Sequence, residues 1–314
     1  MTGPFAHYLD GDRNGRLHLQ HGPIDLIIGV DGAASVMAEE AMRQAAFAAA
    51  VARFRTVLDE LVSELALLRA PVTPQSPSPR GAVARRMWAA TLPLAETRFI
   101  TPMAAVAGGV ADEILAAMMR IFPAGARPYR AYVNNGGDIA LHLEAGAEFR
   151  VAIAREDGVS LGAFAVNAAN PSRGIATSGR SGRSLSMGIA DSVTVGARTA
   201  AAADAAATLI ANAVDLPGHP AILRARAIDV IDDSDLGERL VVRGCGPLDS
   251  EEAQRALSAG AREAEKFLAR GLIDRAALFL KDQARLVDHF PMSSIFSPAG
   301  YLAAGTPREH SQHA

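Results

Sequence analysis

Residues 192–214, SVTVGARTAAAADAAATLIANAV, leave a chain few ways to fold. They open as a strand and continue as a nearly pure alanine helix interrupted by Asp204 and Thr208. Alanine adds little side chain to a helix, so such a helix buries apolar surface only where its neighbours approach closely. The rest of the chain suits that demand. Hydrophobic residues make up 49% of 314 residues and aromatic residues only 5%, so the interior is built mainly from Ala, Val, Leu and Ile. The length allows one large α/β domain or two average ones.

A formal charge of -3 supplies no basic field for nucleic acid, which is excluded as a first partner. The N-terminal MTGPFAHYLDGDRNGR lacks the basic and continuous apolar regions of a secretory signal. The alanine-rich runs are broken by charges before they reach the roughly 20 apolar residues of a membrane span. The single cysteine, Cys245, cannot form an internal disulfide and fits a reducing compartment. A soluble, cytoplasmic protein without membrane or nucleic-acid partners is expected. Its alanine-rich faces are compatible with a homodimer.

The segment RLHLQHGPIDLIIGVD predicts strands around a turn at Gly22 and Pro23, and apolar periodicity predicts a long helix over residues 35–68. APVTPQSPSPRG, residues 70–81, predicts an exposed loop. TRFITPMAAVAGGVADEILAAMMRIF predicts an extended lead, Pro102, and a helix whose first turns hold Gly108 and Gly109. Glycine there costs about 1 kcal/mol relative to alanine, so something is expected to pack on bare backbone, either a sheet or a ligand. Asp112 and Glu113 are read as a solvated or capping pair. Short strands follow in RAYVNNGGDIALHLE, FRVAIARE, LGAFAVN, GIATSG and SVTV, with connections short enough to require antiparallel pairing. Residues 220–287 add mixed elements, among them VIDD, LVVRG, a helix over about 250–270 and the strand RAALFLKD. One domain over 1–290 and a flexible C-terminal tail over 291–314 complete the expectation.

Three constellations carry chemistry. Asp204 and Thr208 lie one turn apart on one helix face, as hard oxygen ligands for Mg²⁺ or Ca²⁺ do; a solvated Asp204 and a Thr208 bonded to its own helix is the competing reading. In VNNGGDIAL, Gly136 and Gly137 let backbone approach a ligand beside Asn134, Asn135 and Asp138, although the same residues make an ordinary tight hairpin. GIATSGRSGRSLSMG offers hydroxyls at Thr177, Ser178, Ser181, Ser184 and Ser186, with Gly179, Gly182, Arg180 and Arg183 suited to phosphate, or else forms a flexible polar loop. No P-loop, G-x-S-x-G, H-E-x-x-H or C-x-x-C is present, and the eight histidines are scattered.

The order of these motifs over residues 100–214 resembles the FAD:protein FMN transferase (ApbE) superfamily, and its short uncharacterised members most. The resemblance implies an α/β (α+β) ApbE-like fold with a central mixed or antiparallel sheet flanked by helices. It further implies Mg²⁺ at Asp204, Thr208 and the carbonyl near Val106. An FAD or FMN pocket would be lined by Gly136, Gly137, Asp138, Thr177, Ser178 and Gly179. Departures are present. Met187 stands where the transferases carry a histidine, Ala207 replaces an acidic residue, Thr101 replaces an Asp, and Ala107 replaces a Lys or Glu. The expected activity is Mg²⁺-dependent handling of a flavin or related phosphate-bearing ligand, including FMN transfer from FAD. The alternatives are non-catalytic flavin or nucleotide binding, or a different reaction on a small anionic metabolite gripped by Arg180 and Arg183.

Overall fold

The computed structural model describes residues 3–9, 15–32, 36–96, 98–154, 160–182 and 184–288. Arg183 and the expected tail over 291–314 lie outside them. The chain begins with strands β1 (Phe5–Tyr8), β2 (Leu17–His21) and β3 (Ile24–Asp31), then helices α1 (Val36–Ser63), α2 (Leu65–Leu68) and α3 (Ala82–Thr91). A 3₁₀ turn, Pro102–Ala105, leads into α4 (Val106–Arg120). Strands β4 (Arg130–Asn135), β5 (Asp138–Leu143), β6 (Glu148–Ala154), β7 (Ser160–Asn167), β8 (Gly174–Ser178) and β9 (Ser192–Ala197) follow, and α5 (Ala200–Ala213) comes after them. The remainder is β10 (Ile222–Arg226), α6 (Ala227–Val230), β11 (Leu240–Cys245), α7 (Ser250–Ala269), β12 (Arg275–Leu280) and β13 (Gln283–Asp288).

Nine strands form one sheet in the order β1-β2-β3-β4-β5-β8-β9-β12-β13. Each neighbouring pair is antiparallel, so the sheet is antiparallel rather than mixed. Its two faces are separated by the period-2 alternation of the strands. Ala276, Leu278 and Leu280 of β12 join the large core under the helices. Ala277 and Phe279 of the same strand join a smaller core with Leu141, Ile175 and Phe164, beneath the β6–β7 hairpin. β10 and β11 make a separate two-stranded ribbon. Helices α1, α4, α5 and α7 pack on the first face.

The sequence-based boundaries largely agree with the structure, and the exceptions have physical causes. The long first helix stops at Ser63, with a separate turn at Leu65–Leu68. The loop over 70–81 is mostly exposed, but Val72 is buried, its amide bonded to the Ile100 carbonyl at 2.9 Å. α3 is absent from the sequence-based expectations, although its buried residues Val83, Ala84, Met87 and Thr91 recur at helical spacing. The window Pro102–Arg120 is long and apolar enough to cross a membrane by length and composition; 67% of it is buried inside the protein, as in a core helix. Glu113 is not solvated. It is 3% exposed and accepts ion pairs from Arg53, Arg86 and Arg120.

Two helices, rather than the sheet, pack on the glycine pair of α4. A methyl on Gly108 would lie 2.2 Å from the Ala200 carbonyl oxygen of α5, and one on Gly109 would lie 3.0 Å from the Met87 side chain of α3. On the sheet side, a methyl on Gly174 would lie 2.1 Å from the Ala200 amide. The first turn of α5 is thus clamped between two bare backbones, which is how an alanine helix finds enough contact. Gly108→Ala or Gly174→Ala places a methyl against backbone that cannot rotate away. Each is expected to destabilise the protein by at least the roughly 1–3 kcal/mol of ordinary overpacking. Gly246→Ala, whose methyl meets nothing closer than 3.4 Å, is expected to stay within about 0.5 kcal/mol. Urea-denaturation midpoints of the three variants check this.

Candidate functional site

The N-termini of α4 and α5 exchange carboxylates. The first amides of a helix lack intrahelical partners and carry positive partial charge. Asp204 of α5 accepts the Gly108 amide of α4 at 3.0 Å, with the Ala107 amide also directed at its carboxylate. In return, Asp112 of α4 accepts the Ala200 and Ala201 amides of α5 at 3.0 and 2.9 Å. Asp112 is therefore a cap, but for a helix other than its own.

Asp204 lines a cleft of about 540 Å³ together with all three sequence constellations. The floor is formed by Val106 and Ala107 at the start of α4, Asn135, Gly136 and Asp138 at the β4–β5 turn, and Asp204 and Thr208 on α5. Gly136 and Gly137 form a two-residue turn with φ of 63° and 111°, which sets the Asn135–Asp138 pair across the hairpin. Asp138 is 8% exposed and accepts the Thr177 amide at 3.2 Å. Asn135 donates to the Ala107 carbonyl at 3.1 Å, tying the turn to α4. One wall is the end of β8 with the loop that follows, contributing Thr177 and Ser178, then Gly179, Ser181 and Ser184. Among the described residues the Thr208 hydroxyl has no protein partner, so it does not bond back to its own helix.

The expected residues do not all arrive. Gly137 does not line the cleft; its amide is held by Asn134 at 2.8 Å, and it shapes the turn. Ser186 is buried and donates to the Gly188 carbonyl. Arg180, expected to grip an anion, is instead ion-paired with Asp191 and lies outside the lining. That aspartate also accepts the Lys281 amide, so the pair ties the loop to the end of β12. Val106 does line the cleft, and what its segment directs at Asp204 is amides.

Other residues reach the site without having been singled out. Asn212 continues the spacing of Asp204 and Thr208 by one more turn and accepts the Met187 amide at 2.9 Å. That i, i+4, i+8 repetition was the available signal. Asp233 and Asp235 come from the loop after α6, and their partners are Arg69 and the Thr101 hydroxyl. The Thr101 hydroxyl donates to a carboxylate of Asp235, 134 residues away in sequence. No local pattern announces such a pairing.

The cleft is acidic. Asp138, Asp204, Asp233 and Asp235 line it, against Arg69 alone as a basic side chain among the described residues. Burial is the main cause holding the Asp204 carboxyl well above the usual range, followed by the charge of Asp138; the two amides pull the other way, and Asp112 adds to the rise. Burial likewise pushes Asp112 up to about 6, against the Ala201 and Ala200 amides and the charge of Arg86.

A carboxyl with a raised folded pKa binds its proton more tightly in the native state, so it favours folding at low pH and loses that contribution as pH rises through the folded value. Stability in chelator is therefore expected to decline between about pH 4 and about pH 6, the interval between the ordinary and folded values of Asp112. Glu113 and Glu263, held low against their burial by hydrogen bonds from Arg53, Arg86 and Arg120 and from Arg98 and Lys266 respectively, give the opposite slope below that interval. Chemical denaturation across this range checks the sign, and Asp112→Asn should flatten the decline.

A family model described as AbpE bacteria matches residues 6–286. Among curated proteins, the chain is 40% identical to a UPF0280 protein of Archaeoglobus fulgidus over 115 residues, 37% of this chain and 45% of that protein. It is 37% identical to a UPF0280 protein of Methanothermobacter thermautotrophicus over 119 residues, 38% of this chain and 44% of that protein. A third, from Methanothrix thermoacetophila, is 35% identical over 147 residues, covering 46% of this chain and 57% of that protein. The chain thus spans about half the length of the curated relatives it matches.

Proposed function

This chain belongs to the AbpE bacteria family, and on that footing we propose that its cleft binds a divalent cation and, with it, the phosphate of a flavin or related nucleotide. The observation that carries this reading is the meeting, in one acidic cleft, of Asp204, Thr208 and Asp138 from separate parts of the chain. These are hard oxygen donors, which suit Mg²⁺ better than zinc. Burial, and after it the charge of Asp138, holds the Asp204 carboxyl well above the usual range, and a bound cation would offset that cost. The main-chain carbonyl of Val106, on α4, is proposed as a further oxygen ligand.

A cation bound there would draw charge from phosphate oxygens and so lower the cost of bringing an anion into an acidic cleft. The chain's own residues would do the rest. Gly136 and the Thr177–Ser178–Gly179 wall expose backbone and hydroxyls to the ligand, and the loop over 231–236 covers it through the Arg69–Asp233 and Thr101–Asp235 pairs. Met187, with its amide on Asn212 and its carbonyl on Arg224 at 2.7 Å, offers no proton-transfer group where the transferases carry a histidine. Binding of the flavin or nucleotide is therefore the leading reading. FMN transfer from FAD is the second, favoured by the retained Asp204–Thr208 pair. The lone Cys245 supports a reducing, cytoplasmic setting.

Asp204→Ala and Thr208→Val are each expected to weaken Mn²⁺ binding at least about tenfold in calorimetric titration. An unchanged titration in both removes the metal site. Native mass spectrometry of freshly purified protein is expected to show a co-purifying phosphate-bearing ligand. Metal-dependent release of AMP from FAD would separate turnover from binding.

A further inference from the structure

Beside the acidic cleft lies a second opening of about 400 Å³ with the opposite charge. The two share Phe99, Met187, Leu209 and Asn212 as walls, so they lie side by side. Three arginines line the second, Arg98, Arg224 and Arg239, against one carboxylate, Asp215. Arg98 is engaged from outside by Glu263 at 3.1 Å, and Arg224 is engaged by Asp215.

Arg239 is different. Among the described residues it has no carboxylate partner; its guanidinium carbon stands 3.1 Å from the Phe99 ring centroid, and one nitrogen reaches the Leu236 carbonyl at 3.4 Å. Stacking on an aromatic face fixes the guanidinium plane and leaves its edge donors free to meet an anion. An oriented arginine with unspent donors, next to a second guanidinium already locked in place, matches the fork geometry of phosphate oxygens. Neither the Asp204–Thr208 pair nor the glycine turn contributes to this compartment.

We propose that this annex is a phosphate-binding subsite centred on Arg239 and supported by Arg224. The two openings then take an elongated ligand with two anionic groups, one held through the cation at the acidic end and one held directly by arginine across the Phe99–Met187 wall. The two-ended ligand rests on the cation reading of the cleft, whereas the annex stands on its own residues. Arg239 is exposed, so replacing it does not threaten the fold.

The test is titration of the full chain with inorganic phosphate in chelator, alongside a separate Mn²⁺ titration without phosphate. Wild type is expected to bind phosphate, Arg239→Gln to bind it at least about tenfold more weakly, and Asp204→Asn to bind it as wild type does. Mn²⁺ binding is expected to show the reverse dependence, kept by Arg239→Gln and lost by Asp204→Asn. Equal phosphate affinity in wild type and Arg239→Gln, or no binding by wild type up to about 20 mM, overturns the annex whatever Mn²⁺ does. Arg239-dependent phosphate binding without an Asp204-dependent Mn²⁺ site supports the annex and removes the cation reading alone.

Discussion

The contact between the first turns of α4 and α5 governs this structure. The backbones meet where Gly108 faces Ala200, and at that crossing each helix lends the other a carboxylate for its unpaired amides. A cap of this kind contributes roughly 1 kcal/mol, but here neither cap exists without the other helix in place. The pair is therefore cooperative: alanine packing gives the proximity, and the carboxylates fix the register. Gly174 closes the clamp from the sheet, so α5 cannot shift without disturbing β8 and the wall that follows it.

Function inherits this constraint. Because Asp204 is held against the end of α4, its carboxylate sits at the junction of three segments and close to Asp138. Placing two acids in partly desolvated surroundings is unfavourable while both are ionised, and a proton or a cation relieves it. The same capping aspartate thus serves the fold and prepares the floor of the cleft. The neighbouring annex reverses the sign, with its arginines braced by carboxylates behind them and one stacked on Phe99. An acidic cleft thus stands beside an arginine-lined opening.

Thr101 and Met187 are both engaged by distant parts of the chain. Thr101 receives Asp235 from the loop over 231–236, and Met187 is held at both its amide and its carbonyl. Arg180 is held in the scaffold by Asp191, and two of the arginines that line the neighbouring opening, Arg224 and Arg239, come from the β10–β11 ribbon and its approach.

Much was legible in the sequence because it depends on local periodicity. The β2–β3 hairpin, the glycine turn after β4, the helix after Asp249 with its capping box, and the alternation of β12 follow from residues close in sequence. The order of the motifs also indicated that Asp138, Thr177 and Asp204 belong to one recess. Partners distant in the chain were not legible. The caps at Asp112 and Asp204, the arginine cluster on Glu113, the Thr101–Asp235 bond and the Arg239 stack each join segments whose separation carries no periodic signal. Sequence alone determined which faces are apolar and which residues can turn, because these are properties of a few adjacent side chains. Tertiary structure alone decided which charges meet, because a carboxylate's partner is set by where the backbone is clamped.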